Sequence, residues 1–227
     1  MAPEFLKKVK ELQSYRLDAK RVLPFQQINK NAKLSILFLG DSLQVGVGAV
    51  PKKTIAGLFG KLYPASHIEN HAVTGARTKD VLSQLDRALK ERYDLILISV
   101  GGNDVIRFTR KSHVEKELKK LIDTVKKRSK KVVLSMCGRI DYVPQLPASL
   151  KKHYKVRQNE LNELFIKIAK EKSVLFIDLL NDELINIPFR DSPEIYFGKD
   201  GFHPAAKGYV FSFKKFKSVL KKEEYLP

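Results

Sequence analysis

Tryptophan is absent from the 227-residue chain, and cysteine occurs once, at Cys137. A single cysteine excludes an intramolecular disulfide framework and any multi-cysteine metal site, so folding must rest on packing. Long hydrophobic runs are missing too. None approaches the roughly 18 uninterrupted apolar residues that a membrane-spanning helix needs, and the opening residues Met1-Ala2-Pro3-Glu4-Phe5-Leu6-Lys7-Lys8 lack the apolar stretch of a signal peptide. The expectation is a chain soluble as given, cytoplasmic or peripheral at a membrane, with export open only through a signal outside this sequence. Acidic residues are the scarcer charge, 25 against 43 Lys plus Arg, which leaves a formal net charge of +18. Hydrophobic residues at 43% still suffice for a real core, so a wholly disordered chain is excluded.

The positive field makes anionic partners candidates. It fits a lysine-rich solvated surface, attachment to anionic headgroups or polymer, or a nucleic-acid footprint. The basic residues lie scattered in clusters such as Lys119-Lys120, Lys126-Lys127-Arg128 and Lys221-Lys222, with no nucleic-acid motif between them. A solvated face or peripheral anionic contact is therefore favoured over nucleic acid.

Apolar runs of strand length alternate with helical periodicity. Residues 34–39, 68–73, 94–100, 131–136 and 174–178 read as strands, and 53–62, 78–89, 114–127, 150–170 and 211–220 as helices. Such alternation means βαβ crossovers, with helices on both faces of a mostly parallel sheet. This explains why Leu95-Ile96-Leu97-Ile98 is continuously apolar. Residues 1–30 read as a basic helical extension and residues 31–227 as one α/β domain.

In open sheets of this class, chemistry collects at the carboxyl ends of strands. There the chain places Gly40-Asp41-Ser42-Leu43 and Gly101-Gly102-Asn103-Asp104, and before the last helix Asp200-Gly201-Phe202-His203-Pro204. A serine hydroxyl needs a positioned base, usually a histidine oriented by a carboxylate. Asp200 and His203 are three residues apart, and Pro204 suits the first position of the following helix. Glycines at 75, 101 and 102 would let backbone N–H groups and Asn103 approach a substrate, the makings of an oxyanion hole.

In order, Gly40-Asp41-Ser42-Leu43, Asn70 with Gly75, Gly101-x-Asn103-Asp104 and Asp200-x-x-His203-Pro204 resemble the four sequence blocks of the GDSL, or SGNH, hydrolases. The resemblance spans residues 34 to about 220. It implies a flavodoxin-like three-layer α/β/α fold with about five parallel strands, acting on ester bonds. By motif position it implies Ser42 as nucleophile, His203 as base and Asp200 as orienter. The N–H groups of Ser42 and Gly75 and the amide of Asn103 would hold the oxyanion. Ala72 stands where the family frequently has glycine. The continuation Gln44-Val45-Gly46-Val47-Gly48 resembles the arylesterase and lysophospholipase-like branch.

Rival readings surround these residues. Asp178 and Asp191, the latter in a long loop, compete with Asp200, and Asp104 is suited to bracing its own loop. His67, His71, His113 and His153 read as surface or packing histidines, Cys137 as a small buried residue, and Asn103 has an alternative use as a local cap. Gly46-x-Gly48 meets Pro51 where a dinucleotide fingerprint needs glycine, and Gly60-Lys61 lacks the Ser or Thr of a phosphate loop. No nucleotide cofactor is expected, and without an HExxH or carboxylate-rich loop no metal either. The connection 137–147 lies on the rim of the proposed site, so Tyr142, Val143 and Leu146 are expected to bind substrate. The leading function is a serine esterase of small ester or lysophospholipid substrates. The alternatives are an O-acetyl esterase of a cell-envelope carbohydrate and an idle anionic-surface binding module.

Overall fold

Five strands, β1 (Ser35–Gly40), β2 (His67–Asn70), β3 (Leu95–Ser99), β4 (Val132–Ser135) and β5 (Leu175–Ile177), pair in parallel in the order β2-β1-β3-β4-β5. This is a computed structural model, and it describes residues 21–226. Alternate strand residues serve two cores, as the pleat requires. Leu37, Leu39, Ile96, Ile98, Val132 and Leu134 face one side, against α4 (Lys111–Val125) and α5 (Ala148–Glu171). Ile36, Phe38, Leu95, Leu97 and Val133 face the other, against α2 (Ile55–Leu62), α6 (Glu183–Asp191) and α8 (Ala206–Lys222). Strands apolar on both faces are thus explained by helices covering both. Three α-helices are shorter: α1 (Ser42–Val45), α3 (Gly102–Ile106) and α7 (Pro193–Tyr196).

Local details depart from the sequence reading. Residues 78–89 form two 3₁₀ segments, Thr78–Asp80 and Leu82–Arg87. Other elements hold this stretch at short intervals. Asp104 accepts from Thr78 N at 2.8 Å, the Gln84 amide pairs with both backbone groups of Gly40 at 2.8 Å, and Glu69 accepts from Leu89 N at 2.8 Å. These anchors favour short tight turns over one continuous α-helix. β2 stops at Asn70 rather than 73, because Asn70 Oδ1 accepts from Ala72 N at 3.2 Å and turns the chain. Helices α6 and α7 replace the expected long loop. Pro188 inside α6 and Pro193 at the start of α7 broke the sequence signal, yet Asp182 caps α6 through Ile185 N.

Of the expected N-terminal helix, residues 1–20 lie outside the described residues. Residues 22–30 run as extended or turn chain, not helix. Gln27 exchanges two backbone hydrogen bonds with Ile68, at 2.8 and 2.9 Å, and the Gln26 side chain bonds both backbone groups of Asn70. β2 is an edge strand, and this strap occupies the backbone groups an edge would leave unpaired. No helix among the described residues is long and apolar enough to cross a membrane.

Candidate active site

The turn that carries Ser42 is fixed from below. Gly40 has φ +142°, and a Cβ there would lie 2.0 Å from the Ser99 carbonyl oxygen, so only glycine lets β1 pass β3 this closely. The Gln84 amide clamps Gly40, and Asp41 N donates to Ser99 O at 3.1 Å. Asp41 then caps α1, and Ser42 is its first residue, 7% exposed.

The histidine arrives from a turn near the far end of the chain. Phe197 and Pro204 form an antiparallel bridge, Gly198 N donates to His203 O at 2.7 Å, and Gly201 N to Gly198 O at 2.8 Å. Pro204 therefore belongs to the bridge and does not open α8, which begins two residues later after Ala205. Closing this turn brings three side chains together across 161 positions of sequence. His203 Nε2 lies 2.8 Å from Ser42 Oγ, and Nδ1 lies 2.6 Å from Asp200 Oδ2. A carboxylate can only accept, so Nδ1 carries the proton and Nε2 is the acceptor facing the serine hydroxyl. Asp200 Oδ1 also accepts from the N–H groups of Phe202 and His203, each at 3.0 Å. Burial by itself would raise the Asp200 carboxyl, but the His203 contact and these N–H groups outweigh it and hold the carboxyl below the usual carboxylate range.

The expected oxyanion groups surround the same strand ends. Asn103 sits on α3, immediately after β3, and lines the cleft with Ser42 and His203. Its amide donates to Ala76 O at 3.1 Å, which sets the side chain against the loop carrying Gly75 and leaves its second N–H for other use. That loop is tied to the β1 end by Val73 N donating to Gly40 O at 3.1 Å and by Asn70 Nδ2 donating to Gln44 O at 2.6 Å. Gly75 has φ +83° and does not line the cleft itself. Among the described residues, the N–H groups of Ser42 and Gly75 have no intramolecular acceptor.

The rival carboxylates are engaged elsewhere. Asp178 caps the turn after β5, accepting from Leu180 N, Asn181 N and Asn181 Nδ2. Asp191 is the last residue of α6, not a loop residue, and pairs with Arg190 on an exposed surface. Asp104 braces Thr78. Burial pushes the Cys137 thiol well up, away from a reactive thiolate. His113 and His153 are exposed. His67 and His71 have a carboxylate partner the sequence did not reveal: buried Glu69 contacts both rings, at 2.7 and 2.8 Å, and accepts from Tyr93 Oη at 2.6 Å.

Of the three expected substrate-contacting residues, only Val143 lines the cleft. Arg139 stacks on the Tyr142 ring, 4.8 Å from its centroid, while also pairing with Asp141. Leu146 packs into the two cores. Gln158, reaching from α5, holds the loop by accepting from Ile140 N and donating to Gly138 O, which turns these two side chains to packing. Sequence reasoning missed the other walls, Leu179, Ile185, Phe189 and Phe197. The i, i+4 spacing of Ile185 and Phe189 is a helical signal, masked by the proline between them.

Asp41 carries a pH-dependent cost. Only 3% exposed, its carboxyl is pushed by burial up to about 7, against the opposing pull of Leu43 N–H and His203. Because this lies above the ordinary carboxylate value, folding favours the protonated acid. Stability from this group is complete at low pH, declines as pH rises from about 4 to about 7, and levels off above. Asp41→Asn retains an acceptor for Leu43 N without the charge. It is expected to stabilise the protein at pH 8 by on the order of 4 kcal/mol and to change little at pH 4. Melts giving the same difference at both pH values would exclude a buried ionised carboxyl.

Comparison with known proteins agrees with this α/β architecture. Residues 38–211 match the model of the GDSL-like lipase/acylhydrolase family, and the chain belongs to that family. It is 24% identical over 185 residues to a GDSL-like esterase of Mycobacterium tuberculosis, covering 78% of this chain but only 58% of that relative, less than two thirds of its length. It is 25% identical over 173 residues to the thioesterase 1/protease 1/lysophospholipase L1 of Escherichia coli strain K12, covering 75% of each. The structure of a lipolytic protein of the G-D-S-L family from Veillonella parvula matches with a TM-score of 0.68 at 19% identity, over 83% of this chain and 98% of that one.

Proposed function

We propose that the protein is a serine esterase that hydrolyses carboxylic esters through an acyl-enzyme on Ser42, in the manner of an arylesterase or lysophospholipase. The observation that carries this reading is the continuous relay from Ser42 Oγ through His203 to Asp200, at 2.8 and 2.6 Å. Ser42 Oγ attacks the ester carbonyl carbon while its proton passes to His203 Nε2. The tetrahedral oxyanion collapses, the alcohol leaves with the proton from Nε2, and the acyl group stays on Oγ. Water then attacks the acyl carbon, giving one proton to Nε2. Collapse of the second tetrahedral species releases the acid and returns that proton to Oγ. Asp200 holds the tautomer and stabilises the imidazolium in both halves.

A fluorophosphonate is expected to label Ser42 of the whole chain. No labelling, together with no hydrolysis of short aryl esters, would overturn the reading in favour of an idle binding module.

Asn103 supplies its free amide N–H to the oxyanion, whose full charge exists only near the transition state. Its loss should therefore appear in kcat and scarcely in KM. Asn103→Ala is expected to lower kcat by about 10² to 10³, whichever ester is used. A lower melting temperature with near-normal kcat would mark Asn103 as a loop brace, its amide serving only Ala76 O.

A further inference from the structure

The cleft that Ser42 and His203 border has a volume of about 100 Å³ in all. Ile55, Leu179, Ile185, Phe189, Phe197 and Tyr209 form an apolar wall of it. These come from α2, the turn after β5, α6, the 197–204 turn and α8, and none is more than 8% exposed, so the wall has no second opening through them. Two polar groups that line the cleft are already engaged. Tyr209 Oη donates to Val47 O at 2.8 Å, and Asn186 Nδ2 lies within hydrogen-bond distance of the carbonyls of Leu179, Leu180 and Asp182. An apolar, blind pocket beside a nucleophile favours one part of an ester over the other. The alcohol must leave and water must enter between the two halves of the reaction, whereas the acyl group stays attached to Ser42 Oγ throughout. The open mouth suits the exchanging groups and the blind end suits the retained one.

We propose that this pocket holds the acyl group and restricts it to short chains of about two to six carbons, with butyryl near the optimum; this rests on the serine esterase reading above. The size argument is direct. A cavity of about 150 Å³ lined by Leu, Ile and Phe accepts the six carbons of benzene, so about 100 Å³ takes roughly four. Each further methylene must either displace Ile185 or Phe189 from packed positions or remain in water, where it gains no binding. Of the two manners named above this favours the arylesterase one: a long-chain lysophospholipid is a poor substrate, and a short acyl ester of a larger alcohol is a good one.

The test is a series of p-nitrophenyl esters, acetyl, butyryl, hexanoyl, octanoyl and dodecanoyl, assayed with the full chain at concentrations where the esters are monomeric. kcat/KM is expected to rise from acetyl to butyryl, by up to about fourfold per methylene, and to stop rising beyond hexanoyl, staying level or falling through dodecanoyl. Ile185→Ala and Phe189→Ala should each raise the octanoyl-to-butyryl ratio of kcat/KM by about tenfold. Should these deletions not fold, Ile185→Val should move the ratio the same way by less, and Ile185→Phe should move the optimum toward acetyl. A kcat/KM that climbs through dodecanoyl, or a ratio that no Ile185 variant shifts, overturns the proposal. Fluorophosphonate labelling in the same preparations separates the two levels. Labelling with a long-chain optimum removes only the acyl restriction, whereas no labelling and no hydrolysis removes it and the esterase reading together.

Discussion

Ser42→Ala is expected to lower kcat for a short aryl ester by about 10⁴ or more while leaving the melting temperature nearly unchanged. The Ser42 side chain has one hydrogen bond, to His203 Nε2, and both residues border the cleft, where water can replace the lost hydroxyl. Removing it therefore strands no deeply buried polar group. The chemical loss is large because no other described side chain shares the hydroxyl's place against Nε2. His203→Ala should cost about as much, and the double variant little more than either, since the pair acts as a unit and deleting either member disables both. What activity remains would come from the oxyanion donors and substrate binding alone. Single losses that multiply in the double variant would mean that Ser42 and His203 do not act on the same proton.

Strands β1, β3, β4 and β5 and their direction were legible because each is apolar on both faces, and a strand of Val, Ile and Leu between helical segments has few other places to go, whereas β2 carries only Ile68 among His67, Glu69 and Asn70 and was legible mainly from its place in the alternation. The relay was legible for a different reason. Each of its parts sits in a short turn whose own residues set its shape, Gly40 beneath Ser42 and the Asp200-to-His203 spacing within one closed turn. Contacts made across the sequence carried no comparable signal. The Gln84 clamp on Gly40 spans 44 positions, and nothing in residues 78–89 distinguishes a clamped 3₁₀ stretch from an amphipathic helix. Glu69 looks like any polar residue near a strand end until Tyr93, His67 and His71 converge on it. The pocket wall was hidden most completely. Ile55, Leu179, Ile185, Phe197 and Tyr209 come from separate segments, and an apolar residue lining a cavity has the same pattern as one filling a core. Tyr142 and Leu146 erred in the converse way: an apolar residue on a long loop suggested a substrate contact, but Arg139 and the two cores use them.

Asp200→Asn separates orientation from mere proximity, and its expected effect on kcat is about 10⁴. The wild-type carboxylate has two jobs in this geometry. Oδ1 receives the N–H groups of Phe202 and His203, and Oδ2 receives Nδ1–H of the imidazole. An asparagine can place its oxygen in the first position and keep the turn folded. Its amide nitrogen then faces Nδ1 and donates, so the proton moves to Nε2, where it points at Ser42 Oγ and can no longer accept from it. The variant should accordingly remain folded, bind substrate with a similar KM and fail in chemistry. Asp178→Asn and Asp191→Asn serve as controls with different forecasts. Asp178 accepts from two backbone N–H groups and the Asn181 amide, so its variant should lose up to about 1 kcal/mol of stability with kcat retained. Asp191 lies on an exposed helix end beside Arg190, so its variant should melt like the parent and keep full activity. A loss of kcat at Asp178 or Asp191 equal to that at Asp200, in protein that melts normally, would reassign the carboxylate and with it the tautomer on which the relay depends.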